Sequence, residues 1–405
     1  MPLIRNASHL FLAAAGLTLA ACSAQTEGPQ SAGPSGTGGG GGALALFPIL
    51  DAEAEPDENV VISPVSIDLA FGLLHAGARG ETRTQLEQYL PPLADPMGYE
   101  TDKDDVKVAI SNALFLDDRF RFRDSYVSQL RREYEAKAIA TDFTDKQGAA
   151  DTINSWADDA TEGLIPEVIP PAAITPDMIA VLANALYFDG LWETKLMSSS
   201  QHPFLFGSGR EAPFTFVGET FETPYARVKG WKSVRLPYRN DRYAMDILMP
   251  SDREIMAAAP PLELIERLKQ ELDGDETELV RVEIPQFETD FAISLNDTLM
   301  SLGVTLPFDE VRVDLSGLAE PGQRPIVVSD VRHVTKLQVY DEGTKAAAVT
   351  TISIVLTGGR VLPKDPILFR ADRPFIAVLR DLERDAVLFI GRISDPQPFD
   401  PEVAE

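Results

Sequence analysis

The 405-residue chain carries 36 Lys and Arg against 63 Asp and Glu, a formal net charge of −27, which excludes a nucleic-acid partner, since that would need clustered cations. Hydrophobic residues make up 44% and charged residues 24%, the balance of a globular protein and not of a disordered acidic tail. The one cysteine, Cys22, rules out an internal disulfide and a cysteine-built metal site. Four histidines (His9, His75, His202, His333) leave little for a histidine-built metal centre or triad. No metal and no cofactor are expected.

Taken in chain order, residues 1–21 pair one cation, Arg5, with the apolar run Leu10–Ala21. That run is too short to stay in a bilayer and suits a secretory signal. Its end, Leu19-Ala20-Ala21-Cys22, resembles the lipobox of bacterial lipoproteins, in which the signal is cut before the cysteine and the thiol is lipidated; a plain secretory signal is the alternative. Residues 22–43 are rich in Gly, Ser and Pro without apolar period, a flexible tether with a reach of about 25 Å. Its glycine run is no phosphate loop, because no strand precedes it and no Lys follows.

Residues 44–405 read as one domain of the α+β class. Ser63-Pro64 predicts an N-cap with Pro at the first helical position, opening a helix over Val65–Ala78 with Leu69, Leu73 and Leu74 on one face. Residues 106–114 alternate Val106, Val108, Ile110, Leu114, a half-buried strand broken in pattern by Asn112. The run Met178–Phe188 is apolar almost throughout and predicts a strand buried on both faces. Val234–Pro237 with Tyr243–Met249, and Phe375–Leu379 with Ala386–Ile390, predict two hairpins. The sheets should be large and mostly antiparallel or mixed.

An enzyme is not expected. The chain lacks a nucleophile elbow, a His-Glu-x-x-His pair and a glycine-rich loop leading into a helix with its Lys. Acidic pairs such as Asp158-Asp159 read as solvated helix faces.

Residues 341–357 are more telling. From Thr344, alternate positions read Thr344, Ala346, Ala348, Thr350, Ile352, Ile354, Leu356, small and then large apolar. The other parity, Lys345, Ala347, Val349, Thr351, Ser353, Val355, is milder and partly polar. This is a strand with one core face, yet it runs into Gly358-Gly359-Arg360 and a proline-rich return, which reads as exposed loop. A strand on a Gly343 hinge that ends in a cleavable loop suggests a strand waiting to be inserted.

At these residues the chain resembles the serpins, over essentially all of residues 44–395. The hinge Asp341-Glu342-Gly343-Thr344-Lys345-Ala346-Ala347-Ala348 is similar to the family's Glu-Gly-Thr-Glu-Ala-Ala-Ala. Phe369-Arg370-Ala371-Asp372-Arg373-Pro374-Phe375 resembles the signature after the reactive loop. Asn184-Ala185-Leu186-Tyr187-Phe188 with Gly190 and Trp192, and Leu236-Pro237-Tyr238 with Leu248-Met249-Pro250, resemble further motifs of the family. Leu388-Phe389-Ile390-Gly391-Arg392 resembles its terminal-strand motif, and Ser63-Pro64 with Ser66 and Gly77-Ala78-Arg79-Gly80 with Thr82 its amino-terminal pattern. The resemblance implies the serpin fold: large mixed sheets, surrounding helices and an exposed reactive-centre loop. It implies a suicide-substrate inhibitor of serine proteases, with cysteine proteases as the alternative, in which the cleaved loop inserts into the central sheet and drags the acylated enzyme with it. About 14 inserted residues at roughly 0.5–1.5 kcal/mol each supply on the order of 10 kcal/mol, comparable with the roughly 5–15 kcal/mol that holds an enzyme folded.

By the same resemblance Ser63, Ser66, Asn184 and His333 form the shutter that latches the sheet, and Trp192 lies at the breach where the loop enters. The chain departs from the family at several points. Asp341, Lys345 and Val349 replace commoner residues in the hinge, and Asp189 replaces a Lys. Gln286 stands where a Lys is common, which predicts that the hinge lacks its ion pair. The small inward set Thr344, Ala346, Ala348, Thr350 is kept, which argues against the rival reading of a non-inhibitory envelope binding or scaffold protein.

Family spacing puts the scissile bond 14 residues after Gly343, at Thr357-Gly358, suited to enzymes with shallow primary pockets. Arg360-Val361, 17 residues after it, is the alternative, an Arg for a trypsin-like pocket. The expected partners are extracellular or periplasmic proteases and, through Cys22, a membrane. Ser23 after Cys22 resembles the sorting signal for the outer membrane. A monomer is expected.

Overall fold

The computed structural model describes residues 42–399, apart from Asp104, Glu254, Ile255, Ala257, 321–323 and 345–364. Cys22, Lys345, Ala346, Ala347, Ala348, and both candidate scissile bonds, Thr357-Gly358 and Arg360-Val361, therefore lie outside the described residues. No helix among those described is long and apolar enough to cross a membrane.

The helices are α1 (Leu46–Glu53), α2 (Pro64–Gly77), α3 (Gly80–Tyr89), α4 (Asp124–Tyr134), α5 (Lys146–Ala160), α6 (Leu262–Leu272) and α7 (Asn296–Leu302). The strands fall into three sheets. One holds β1 (Val60–Ile62), β8 (Tyr225–Val228), β9 (Trp231–Pro237), β10 (Tyr243–Pro250), β16 (Phe375–Asp381) and β17 (Ala386–Ile393), in the order β1-β17-β16-β10-β9-β8. A second holds β6 (Ser198–Leu205), β7 (Glu211–Thr223), β11 (Glu278–Pro285) and β15 (Ile367–Arg370), in the order β15-β11-β7-β6. The third contains β2 (Thr101–Lys103), β3 (Val106–Asp117), β4 (Lys137–Thr141), β5 (Ala180–Leu191), β12 (Phe287–Ser294), β13 (Val328–Val339), β14 (Gly343–Thr344) and β18 (Gln397–Pro398). Its order is β18-β12-β13-β14-β5-β3-β2, with β4 paired to β3. Both predicted hairpins are present, as β9–β10 and β16–β17. The mixed sheets meet the α+β expectation.

Ser63 caps α2 as expected: its Oγ accepts from the Ser66 N–H at 3.2 Å, and Pro64 takes the first helical position, where a missing N–H costs nothing. The helix is not amphipathic in the predicted sense. Beyond Leu69, Leu73 and Leu74, its other residues except the half-buried Ala76 are also buried, Asp68 included, because α2 lies between β17 of one sheet and β3 and β5 of another. Burial pushes the Asp68 carboxyl up to about 8, and its one bond is the Ala43 N–H at 3.0 Å. Gly42 and Ala43 are buried in a short 3-10 turn, so the folded part takes in the last two residues of the glycine-rich stretch.

Strand β5 is buried on both faces. Leu182, Leu186 and Phe188 face the main core with α2; Val181, Ala183 and Ala185 face a second cluster built on Ile153 and Trp156 of α5. That alternation follows from the period of two. It also turns Asn184 toward α2.

Candidate functional site

The site grows from one irregularity in the third sheet. Strands β5 and β13 run parallel and pair from Ala180–Val328 to Asn184–His333. Past that point no direct β5–β13 pairing is present among the described residues. At the far end β14 lies between them, antiparallel to both, with Thr344 opposite Val339 and Gly190, and Gly343 opposite Leu191.

The last direct pair is also a latch. The Ser63 N–H donates to His333 Nε2 at 3.1 Å, so His333 Nδ1–H donates to Asn184 Oδ1 at 2.7 Å. Ser66 Oγ–H donates to the same Asn184 oxygen at 3.2 Å. Burial lowers the His333 pKa to about 3 and keeps the ring neutral, as this donor–acceptor arrangement requires. The N-terminus of α2 thus clasps two strands through four residues, the Ser63 backbone N–H and the side chains of Ser66, Asn184 and His333. A fifth residue stands beside them: Asn112 of β3 is directly opposite Asn184. Asn112 Oδ1 and Asn184 Nδ2 are buried without partners. Such orphan groups cost about 1–3 kcal/mol each and weaken a closed latch. Asn112 was visible in the sequence only as the polar break in an apolar alternation.

The hinge is seated and not hanging free. Thr344 is 1% exposed and its hydroxyl bonds the Tyr238 hydroxyl at 2.7 Å. Tyr238 stacks on Trp192 with ring centres 4.4 Å apart. The Trp192 indole N–H donates to the Tyr340 carbonyl at 3.0 Å and its backbone N–H to the Glu342 carbonyl at 2.8 Å. Gly343 is needed here for close approach: a Cβ would fall 2.1 Å from the Gly190 carbonyl oxygen. The hinge therefore already joins the sheet at Gly343 and Thr344, because Thr344 is small enough to enter beside Gly190 and gains a hydrogen bond there.

The hinge charge is met from a position other than 286. Gln286 makes no ion pair and instead donates to the Phe399 carbonyl at 2.8 Å. The hinge has an ion pair all the same: Lys195 Nζ lies 2.5 Å from Glu342 Oε1 and 3.2 Å from Asp341 Oδ2. Partial burial works against the ammonium, but these two carboxylates outweigh it and raise the Lys195 pKa. Lys195 reaches the hinge from the segment after β5, a contact across 147 positions that no local pattern announces.

No group of three or more His, Cys, Asp or Glu suited to a metal is present among the described residues. What the site offers is mechanical: a sheet open at one end, a strand started in the opening, and a polar latch where the opening stops.

Comparison with known proteins agrees. The family model described as Serpin (serine protease inhibitor) matches residues 42–396. The chain is 30% identical to mouse Antithrombin-III over 84% of its length and 77% of the relative's. It is 32% identical to wheat Serpin-Z2A over 84% and 90%, and 29% identical to mouse Leukocyte elastase inhibitor A over 87% and 97%. Two solved structures at 25% identity share the fold. Tengpin, a thermophilic serpin in its native state, has a TM-score of 0.75 over 88% of this chain and 93% of its own. Arabidopsis AtSerpin1, in a native stressed conformation, has 0.74 over 88% and 96%. The chain belongs to the serpin family.

Proposed function

We propose that this serpin inhibits serine proteases as a suicide substrate, with residues 345–357 as the strand that enters between β5 and β13. The observation that carries the reading is the seated hinge: Gly343 and Thr344 occupy the place from which a longer strand would extend, and the direct β5–β13 pairing ahead of them ends at Asn184–His333. Full insertion then has to part that pair, which makes the Ser63–Ser66–Asn184–His333 cluster the gate. The names of Antithrombin-III and Leukocyte elastase inhibitor A, and the stressed native state of AtSerpin1, support the same reading. A non-inhibitory scaffold would have no use for small residues at 346, 348 and 350.

Incubation with a panel of serine and cysteine proteases tests it. A complex that survives denaturation in detergent is expected with at least one serine enzyme, and mass spectrometry of the carboxy-terminal peptide it releases places the cut. A peptide beginning at Gly358 is expected, leaving Thr357 acylated to the enzyme. One beginning at Val361 would move the scissile bond to Arg360 and lengthen the inserted strand. Cleavage by every protease without any covalent complex would refute the inhibitory reading.

We further propose that the domain is secreted and held on the cell envelope through lipid on Cys22, with residues 23–41 as tether. The lone thiol at the end of the apolar run supports this. Metabolic lipid labelling is expected to mark the wild type and leave Cys22→Ala unmarked; equal label in both overturns the anchor.

A further inference from the structure

In a chain of net charge −27, one buried spot is over-supplied with cations. Lys232 at the start of β9 is 8% exposed and Arg373, just before β16, is 5% exposed. Neither side chain donates a hydrogen bond among the described residues. The Lys232 ammonium lies 5.1 Å from the centre of the Phe369 ring of β15. Arg227 of β8 is directly opposite Lys232, a like-charge cross-strand pair of the kind that destabilises a sheet. The nearest carboxylate, Asp372, is shared: its oxygens stand 3.6 Å from Arg373 and 3.5 Å from Arg253, too far for good hydrogen bonds. Arg373 Nε is fully buried with no partner. Burial, with the Arg373 charge added, pushes the Lys232 pKa down to about 8. Buried cations are ordinarily paired, so two together without hydrogen bonds point to a missing anion.

We propose that Lys232 and Arg373 form a binding site for a small tetrahedral oxyanion, phosphate or sulfate, at the junction of β9, β15 and β16. A guanidinium fork presents parallel N–H donors that match two oxygens of such an ion, and the ammonium supplies a point charge for a third. The Lys232 ammonium packs over Phe369, on the strand that follows residues 345–364, so an anion there would firm the anchorage of the loop's carboxy-terminal end. This reading stands apart from protease inhibition and is tested without a protease.

The full chain is melted in inorganic phosphate, in sulfate, in glycerol 3-phosphate and in sodium chloride, all at matched ionic strength near pH 7. Phosphate is expected to raise the thermal midpoint with the logarithm of its concentration above Kd, by about 4 °C at a hundredfold excess. A larger rise with glycerol 3-phosphate would identify the natural ion as esterified phosphate, and a larger rise with the inorganic ions a free one. Lys232→Met should melt higher than the wild type in chloride, since an unpaired buried cation is gone, and should lose the phosphate-dependent rise. Arg373→Gln should also lose it, while Lys229→Met, on the exposed turn before β9, should keep it. A wild-type rise in phosphate no greater than in chloride, or a rise kept in both Lys232→Met and Arg373→Gln, overturns the proposal.

Discussion

Cleavage of the chain within residues 345–364 is expected to raise the thermal midpoint by on the order of 10–15 °C. The size follows from the seated hinge. Each residue that continues β14 past Thr344 gains sheet hydrogen bonds on both sides, to β5 and to β13, worth roughly 0.5–1.5 kcal/mol net. About a dozen such residues give on the order of 10 kcal/mol. Unfolding entropy near 2.1 cal/mol/K per residue makes one degree worth roughly 0.7 kcal/mol for a domain of this length. Before cleavage the same residues are bridged at their far end to β15, whose Arg370 Nε bonds Glu283 Oε2 at 2.5 Å and which pairs with β11 through Ile367 to Arg370. That anchor is what a cut releases. Calorimetry of intact and nicked protein, with the nick mapped by mass spectrometry, reads the shift directly. A nicked protein that melts with the intact one would mean that β14 stops at Thr344 for good and that the fold stores no strand.

Much of this arrangement was legible in the sequence, but by two different routes. Local chemistry gave the cap at Ser63-Pro64, the double-sided burial of β5 and the two hairpins, because a cap, a period of two and a tight turn are each written within a few neighbouring residues. Family resemblance pointed to Ser63, Ser66, Asn184 and His333, whose hydrogen bonds span 118 to 270 positions and which no window of sequence could have gathered. The parts that escaped were those where neither route applied. Lys195 was missed because the hinge carboxylates draw a cation from the irregular segment between β5 and β6, whereas position 286, where a cation is common in the family, turns to Phe399 instead. Tyr238 was seen as part of a motif, yet its contact with Thr344 depends on how far the hinge has already entered the sheet. The all-round burial of α2 escaped because a helix between two sheets needs no polar face, and a pattern search for a single apolar stripe cannot say so.

Thr344→Arg should turn the inhibitor into a substrate. Thr344 is buried against Tyr238, Gly190 and Val339, in a space closed by Trp192 and Phe188, whose rings lie 4.4 and 4.9 Å from Tyr238. A guanidinium there loses its water without an acceptor, since the Lys195 ammonium already holds the Glu342 and Asp341 carboxylates. The cost is several kcal/mol, to which loss of the Thr344–Tyr238 bond adds about 1 kcal/mol. The side chain is best relieved by leaving the sheet, and every later residue must then enter past an expelled first position. Insertion slows relative to hydrolysis of the acyl-enzyme, and about 4 kcal/mol corresponds to roughly a thousandfold change in that competition. The moles of chain consumed per mole of protease inactivated should therefore rise at least tenfold, with cleavage as fast as before and covalent complex nearly absent. Thr344→Val separates charge from shape: it keeps the volume, gives up one hydrogen bond and should still form complex. If Thr344→Arg traps protease as well as the wild type does, position 344 does not lead the strand into the sheet, and the inward set Thr344, Ala346, Ala348, Thr350 has the wrong parity.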